Sequence, residues 1–293
     1  MRKRAAELLF ALLLMGIAAM PGYAQKKPWK DMEQKVGDIK IHYIEAGAGD
    51  RAMVFVPGWT MTAEVWREQI PYFAARDFRV LAIDPRSHGQ TTRTEEGNTY
   101  YQQAADLLAF LRALRVDRPV LVGWSAGVAV LLEYLAGEEV RIPERIVLVD
   151  GGVMGFKGDD YPSGMTMQQA RSVLLSIQDS RAKFTEQFVK GMFKTPQTAS
   201  LLAEITQASM KVTTGTMVSL WMDLFTGDRR PVLARVRVPT LIVMAQDNRL
   251  LGEFLQSKID GSRLEVIEGA GHALFLDKPQ AFNQILEDFV GRN

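Results

Sequence analysis

Cysteine is missing from the 293 residues, and histidine occurs only three times. The first absence excludes disulfides, thiolate metal sites and a cysteine nucleophile. The second, with no H-E-x-x-H string and no paired histidines, argues against a zinc enzyme. Net charge is also scarce: 35 Lys and Arg oppose 34 Asp and Glu, leaving +1. That balance offers no electrostatic surface for nucleic acid and no polybasic patch for a membrane. No internal repeat and no low-complexity linker breaks the chain. What remains is an ordinary globular composition, 47% hydrophobic, able to bury a substantial core as one large domain or two small ones.

The N-terminus is a different material. Arg2, Lys3 and Arg4 precede an apolar run over residues 8–19, and Gly22-Tyr23-Ala24 supplies small residues before Gln25. This is the pattern of a secretory signal peptide over 1–24, cleaved near Ala24 to leave a secreted or periplasmic protein. The run is short for a permanent bilayer span. An uncleaved anchor is the alternative. A mature chain of this size can bury enough core without disulfides, so export and absent cysteine are compatible.

From residue 35 onward, short apolar runs alternate with helical periodicity. Residues 35–46 alternate around Gly37-Asp38, which predicts a hairpin. Strands follow at Met53-Val54-Phe55-Val56, 78–83, 120–122 and 146–149. Between them, 62–75 has helical character with Thr62 as its cap. Residues 100–114 place Ala104, Leu107, Leu108, Leu111 and Leu114 on one face, and 128–136 forms a third helix. Strands apolar on both faces mean a parallel sheet covered by helices on both sides, an α/β fold.

Past residue 152 the rhythm changes. From about 166 to 226 only amphipathic helical segments appear, broken near Thr195-Pro196 and Thr213-Thr214-Gly215. Strands resume at 240–244 and 264–267, and a last helix runs over about 279–290. The expected organisation is a core of 25–152 and 231–293, with 153–230 inserted after the sixth strand as a helical lid. Such a lid would cover the carboxyl edge of the sheet, where open α/β sheets bind ligands.

The sharpest signal is Gly123-Trp124-Ser125-Ala126-Gly127, directly after the strand Val120-Leu121-Val122 and before the helix. A strand–turn–helix carrying G-x-S-x-G reads as a nucleophile elbow, with glycines where side chains would collide. A serine hydroxyl needs a base, and that base needs an orienting carboxylate. His272, in the loop Glu268-Gly269-Ala270-Gly271-His272 after the last strand, is the candidate base. His42 falls in the hairpin and reads as structural. His88, in Asp84-Pro85-Arg86-Ser87-His88-Gly89, ends a strand on the correct edge, but the chain order Ser, acid, His favours His272. Asp247, after the strand 240–244, is the preferred acid; Asp150, after the strand 146–149, is its rival. Oxyanion donors are expected from the N–H groups of Ala126 and of Trp59, in the loop after the third strand.

These residues resemble those of the α/β-hydrolase superfamily over nearly all of the mature chain. The resemblance rests on Val56-Pro57-Gly58-Trp59, Asp84 to Thr91, Gly123 to Gly127, Asp247 and Gly271-His272. It is nearest to the small capped esterases, lactonases and cofactor-free haloperoxidases. Two departures stand out: Pro57-Gly58 replaces the usual His-Gly, and the usual acid position, counted from Pro239, holds Asn248. The resemblance implies an α/β-hydrolase fold and a serine hydrolase working through an acyl-enzyme on small carboxylic esters or lactones, with no metal and no organic cofactor. Trp124, Met154, Trp221 and Phe225 are the expected pocket residues, and the lid's Phe184, Phe188 and Phe193 are further apolar candidates. An amidase or peptidase, or a non-catalytic small-molecule receptor on the same fold, is the competing reading. The expected partner is a small molecule. Neither nucleic acid nor a membrane span after cleavage is expected, and the oligomeric state stays open.

Overall fold

A computed structural model describes residues 27–291; the expected signal peptide and its cleavage site lie outside the described residues. The N-terminal hairpin forms as β1 (Lys30–Val36) and β2 (Ile39–Ala46), turned at Gly37 with φ +55°. β3 (Arg51–Val56) follows. The helix expected over 62–75 is instead a 3-10 turn at Ala63–Trp66 and a short α1 (Ile70–Ala74). Thr62 makes no side-chain cap there. The Ala63 N–H is taken by the Asp84 carboxylate at 2.8 Å, so a tertiary contact sets this segment. Pro71, which lacks an N–H, fits only a first helical turn and restarts the helix.

The alternation then continues as β4 (Phe78–Ile83), α2 (Tyr100–Ala113), β5 (Val120–Trp124), α3 (Ala126–Ala136) and β6 (Arg145–Val149). Four helices occupy the stretch before the next strand: α4 (Met167–Asp179), α5 (Arg181–Gly191), α6 (Ala199–Met210) and α7 (Thr214–Thr226). Threonines start three of them. Thr166, Thr198 and Thr213 each accept an N–H from the first turn through the side chain, satisfying donors the helix cannot. The break at Ser180, between α4 and α5, left no mark in the periodicity. A short α8 (Arg230–Leu233) returns the chain to β7 (Thr240–Ala245), α9 (Arg249–Lys258), β8 (Arg263–Ile267), α10 (Leu274–Asp277) and α11 (Pro279–Val290). Helix α9 was not expected from the pattern.

The eight strands lie in the order β1-β2-β4-β3-β5-β6-β7-β8. β1 and β2 pair antiparallel, as do β2 and β4, and every pairing from β4 to β8 is parallel. Strand alternation divides the core in two. Val54 and Val56 of β3, with Leu121, Ile146, Leu148 and Ile242, face a cluster covered by α2, α3 and α9. Met53 and Phe55, with Val120, Val122, Val147 and Val243, face a second cluster covered by α1, α10 and α11. Period-2 apolar residues on both faces are why these strands read as continuous apolar runs.

The helical block between β6 and β8's neighbour β7 is tied to the core by buried charge. Asp223 of α7 accepts the Tyr100 N–H at 2.7 Å, and Arg229 bridges Asp223 and Glu133 of α3. The block also meets the loops that leave β3 and β8, through Ser209 on Thr60 and the Met192 carbonyl on the Ala273 N–H.

Candidate active site

The turn from β5 into α3 is the tightest point of the fold. Ser125 sits at φ +55°, ψ −118°, a conformation an L-residue rarely holds. Its surroundings explain the two flanking glycines. A Cβ on Gly123 would lie 2.6 Å from the Gly127 carbonyl oxygen, and one on Gly127 would lie 2.5 Å from that of Val56. The Ser125 N–H donates to the Val149 carbonyl at 2.9 Å, pinning the elbow to the end of β6.

Three side chains converge there. The Ser125 hydroxyl donates to His272 Nε2 at 2.9 Å, and His272 Nδ1–H donates to Asp150 Oδ2 at 2.7 Å. The Asp150 side chain is fully buried, and that of His272 is 29% exposed. Asp150 holds a strained backbone of its own, at φ +41°. Its other contacts fix the carboxylate: Oδ1 accepts the Ala245 N–H at 2.8 Å and Oδ2 accepts Asn248 Nδ2 at 2.9 Å. An imidazole held this way can take the hydroxyl's proton while the carboxylate fixes its tautomer.

The preferred acid is not the one brought to the histidine. Asp247 is exposed and pairs with Lys194 at 2.8 Å. Beyond β7 the chain enters a 3-10 turn over Gln246–Asn248, and its tight winding sends neighbouring side chains in different directions. Asp247 faces solvent, and the next residue, Asn248, faces Asp150. Of the two aspartates, Asp150 is the one that meets His272.

The other histidines are occupied elsewhere. Nδ1 of His88 donates to the Arg86 carbonyl at 2.8 Å, and complete burial pushes its pKa down, keeping the ring neutral. His42 meets Asp84 through Nδ1 at 2.8 Å and Asp31 through Nε2 at 3.2 Å. Burial disfavours its charge, but the two carboxylates outweigh burial and raise its pKa.

The loop after β3 passes close to the serine. A Cβ on Gly58 would lie 3.0 Å from Ser125 Cβ, so the backbone just before Trp59 passes against the serine. Thr60, at φ +62°, and a Met61 N–H to Gly58 carbonyl bond of 3.0 Å close the turn. Across the serine, Ala126 opens α3, where a first-turn N–H has no partner inside the helix. The amides of Ala126, next after Ser125, and of Trp59, next after Gly58, are the two that the sequence offered as oxyanion donors.

A cavity of about 320 Å³ opens onto Ser125 and His272. Met154, Trp221 and Phe225 line it, together with Tyr161 and Met165; among the described residues Asp150 is the one Asp, Glu, Lys or Arg in the lining. Trp124 does not line the cavity, contrary to expectation. It is buried against Phe275, and its indole N–H holds the His272 carbonyl at 2.9 Å. The Trp59 ring lies behind the wall, packed on Trp221, Phe184 and Phe188, with its N–H on the Met217 carbonyl.

The model of the alpha/beta hydrolase family matches residues 53–285. The chain belongs to that family. Among its relatives, a pimeloyl-acyl-carrier-protein methyl ester esterase of Neisseria meningitidis serogroup C is 26% identical, over 82% of this chain and 93% of its own length. A non-heme chloroperoxidase of Burkholderia pyrrocinia is 23% identical, over 86% of this chain and 96% of its own. Among solved structures, an esterase from Exiguobacterium antarcticum superposes with a TM-score of 0.84 at 23% identity, covering 89% of this chain and 99% of that one. This alpha/beta hydrolase thus has the fold that the elbow and the strand rhythm implied. Sequence reasoning missed Asn248 as a partner of the acid, and it missed Tyr161. The signals for Asn248 were its place one residue past the favoured aspartate and, counted from Pro239, at the usual acid position of the resembling family.

Proposed function

We propose that the chain is a serine hydrolase of small, uncharged carboxylic esters or lactones, exported by the signal in residues 1–24 and acting outside the cytoplasm. Ser125 is the nucleophile, His272 the base and Asp150 the acid that orients it. The observation that carries this reading is the unbroken run of contacts from the Ser125 hydroxyl through His272 to buried Asp150, at 2.9 and 2.7 Å.

Ser125 Oγ attacks the substrate carbonyl carbon as its proton passes to His272 Nε2. The carbonyl oxygen, now anionic, accepts the N–H groups of Trp59 and Ala126. Collapse breaks the bond to the leaving oxygen, which takes the proton from His272. Water then repeats the sequence against the acyl-enzyme and frees the acid. Every step uses side chains and amides of this chain.

The cavity supports the substrate class. At about 320 Å³ it falls at the small end of ligand sites. Its lining of Met154, Met165, Trp221 and Phe225 favours a neutral acyl or lactone ring. The inserted helices act as the lid of this cavity, through Trp221, Leu224 and Phe225 of α7. A hydrolysis panel tests the reading: acetyl to octanoyl esters, lactones of several ring sizes and matching amides, with Ser125→Ala as the blank. Short neutral esters or lactones turn over and the blank does not. Turnover unchanged in Ser125→Ala, or confined to amides, overturns it.

A further inference from the structure

Asp277, the last residue of α10, takes no part in the steps above and does not line the cavity. It is nevertheless buried, and its carboxylate collects donors from two separate places. Gly271 N–H, immediately before His272, donates at 2.7 Å. The α5–α6 connection of the lid supplies the rest: Lys194 N–H at 2.9 Å, Thr195 N–H at 3.2 Å, Gln197 Nε2 at 3.0 Å, and the Thr195 hydroxyl. Burial alone would raise this carboxyl's pKa; the donors outweigh it and hold the group below the ordinary aspartate value.

The two backbones also touch directly. Ala273 N–H, just after His272, donates to the Met192 carbonyl at 2.9 Å. A Cβ on Gly271 would lie 2.6 Å from that same oxygen, so lid and histidine loop meet with no side chain between them. The lid grips the oxyanion loop as well, through Ser209 on Thr60 at 2.8 Å and the Met217 carbonyl on Trp59 at 3.0 Å.

We propose that Asp277 is a positioning residue that makes the placement of His272 and the placement of the lid a single variable. It holds the amide on the N-terminal side of His272 from a carboxylate whose other donors all belong to the lid. Loosening the joint lets the imidazole swing away from Ser125 even for a substrate too small to touch the lid. The rate consequence rests on the serine hydrolase reading; the placement of the imidazole does not.

An asparagine at 277 keeps the shape but turns one acceptor into a donor, set against donors. The downfield proton resonance of the His272–Asp150 hydrogen bond reports the imidazole's placement without any turnover. Asp150→Asn, which should abolish it, assigns it. In folded Asp277→Asn, confirmed by near-ultraviolet circular dichroism, that resonance should broaden or vanish. kcat for an acetyl ester should fall by on the order of tenfold to a hundredfold, with KM changed far less. Thr195→Val removes a single donor from the lid side; it should move both readouts the same way by a smaller factor, and it decides the matter if Asp277→Asn does not fold. Wild-type resonance and wild-type kcat in the folded variants overturn the proposal. A wild-type protein with the resonance but no hydrolysis, and a variant without the resonance, overturns the hydrolase reading and leaves the coupling standing.

Discussion

At the scale of single residues, the site turns on which aspartate faces His272. Asp150 is buried and bonded to Nδ1, while Asp247 is exposed and paired with Lys194. Asp150→Asn should therefore lower kcat by about 10³- to 10⁴-fold, because the imidazole loses the partner that fixes its tautomer. Asp247→Asn should leave kcat within about twofold, since exposed ion pairs contribute little. Steady-state hydrolysis by the two variants checks both; the reverse ranking would restore Asp247. Ser125 and His272 were legible in the sequence because their neighbours carry the geometry: glycines at the elbow, and a glycine-rich loop after the last strand. The acid was not. Both aspartates follow strands, and spacing counts residues without saying where a 3-10 turn will aim them. Trp124 was misplaced for a similar reason: strand alternation sends it to the cluster beneath the sheet, where it holds the histidine loop.

At the scale of elements, the elbow and the N-terminal hairpin make different demands. A methyl group at position 123 has nowhere to go, because the atom it meets is backbone oxygen 2.6 Å away. Gly123→Ala should cost roughly 1–3 kcal/mol or more of stability, as overpacking of rigid structure does. Its denaturant midpoint should fall, and an unchanged midpoint would show that the strand–helix contact yields. The hairpin is held through His42, which joins Asp31 of β1 to Asp84 after β4. Because the folded pKa of His42 is raised, its stabilising effect is complete below the ordinary histidine value of about 6.5 and fades as pH rises through the folded value. The melting temperatures of wild type and His42→Gln should thus converge from about pH 6 to pH 9; a constant gap would mean that the charged form is not the one that binds. The strands were readable because each is apolar on both faces. The first helical segment after β3 was not, since its start is set by the Asp84 carboxylate, a contact made across the fold.

At the scale of the whole molecule, a sheet with helices on both faces presents the ends of β3, β5, β6 and β8 at one edge, and each loop there delivers one part: amide, hydroxyl, carboxylate and imidazole. No two of these four parts are neighbours in sequence. The inserted helices complete the cavity and brace two of those loops. Alternating strands and helices made the parallel sheet legible, and the stretch after β6 that read as strandless holds four helices, α4 to α7. The bracing was invisible, because its bonds join residues far apart in the chain, most of them a side chain to a backbone group. The central claim is that this assembly makes one hydroxyl nucleophilic. Reaction with a fluorophosphonate, followed by intact mass and peptide mapping, tests it most directly. The account predicts a single adduct on Ser125 in wild type and in Asp247→Asn, formed far more slowly in Asp150→Asn and not at all in His272→Ala. An adduct on another residue, or equal labelling of Ser125 in His272→Ala, would contradict it.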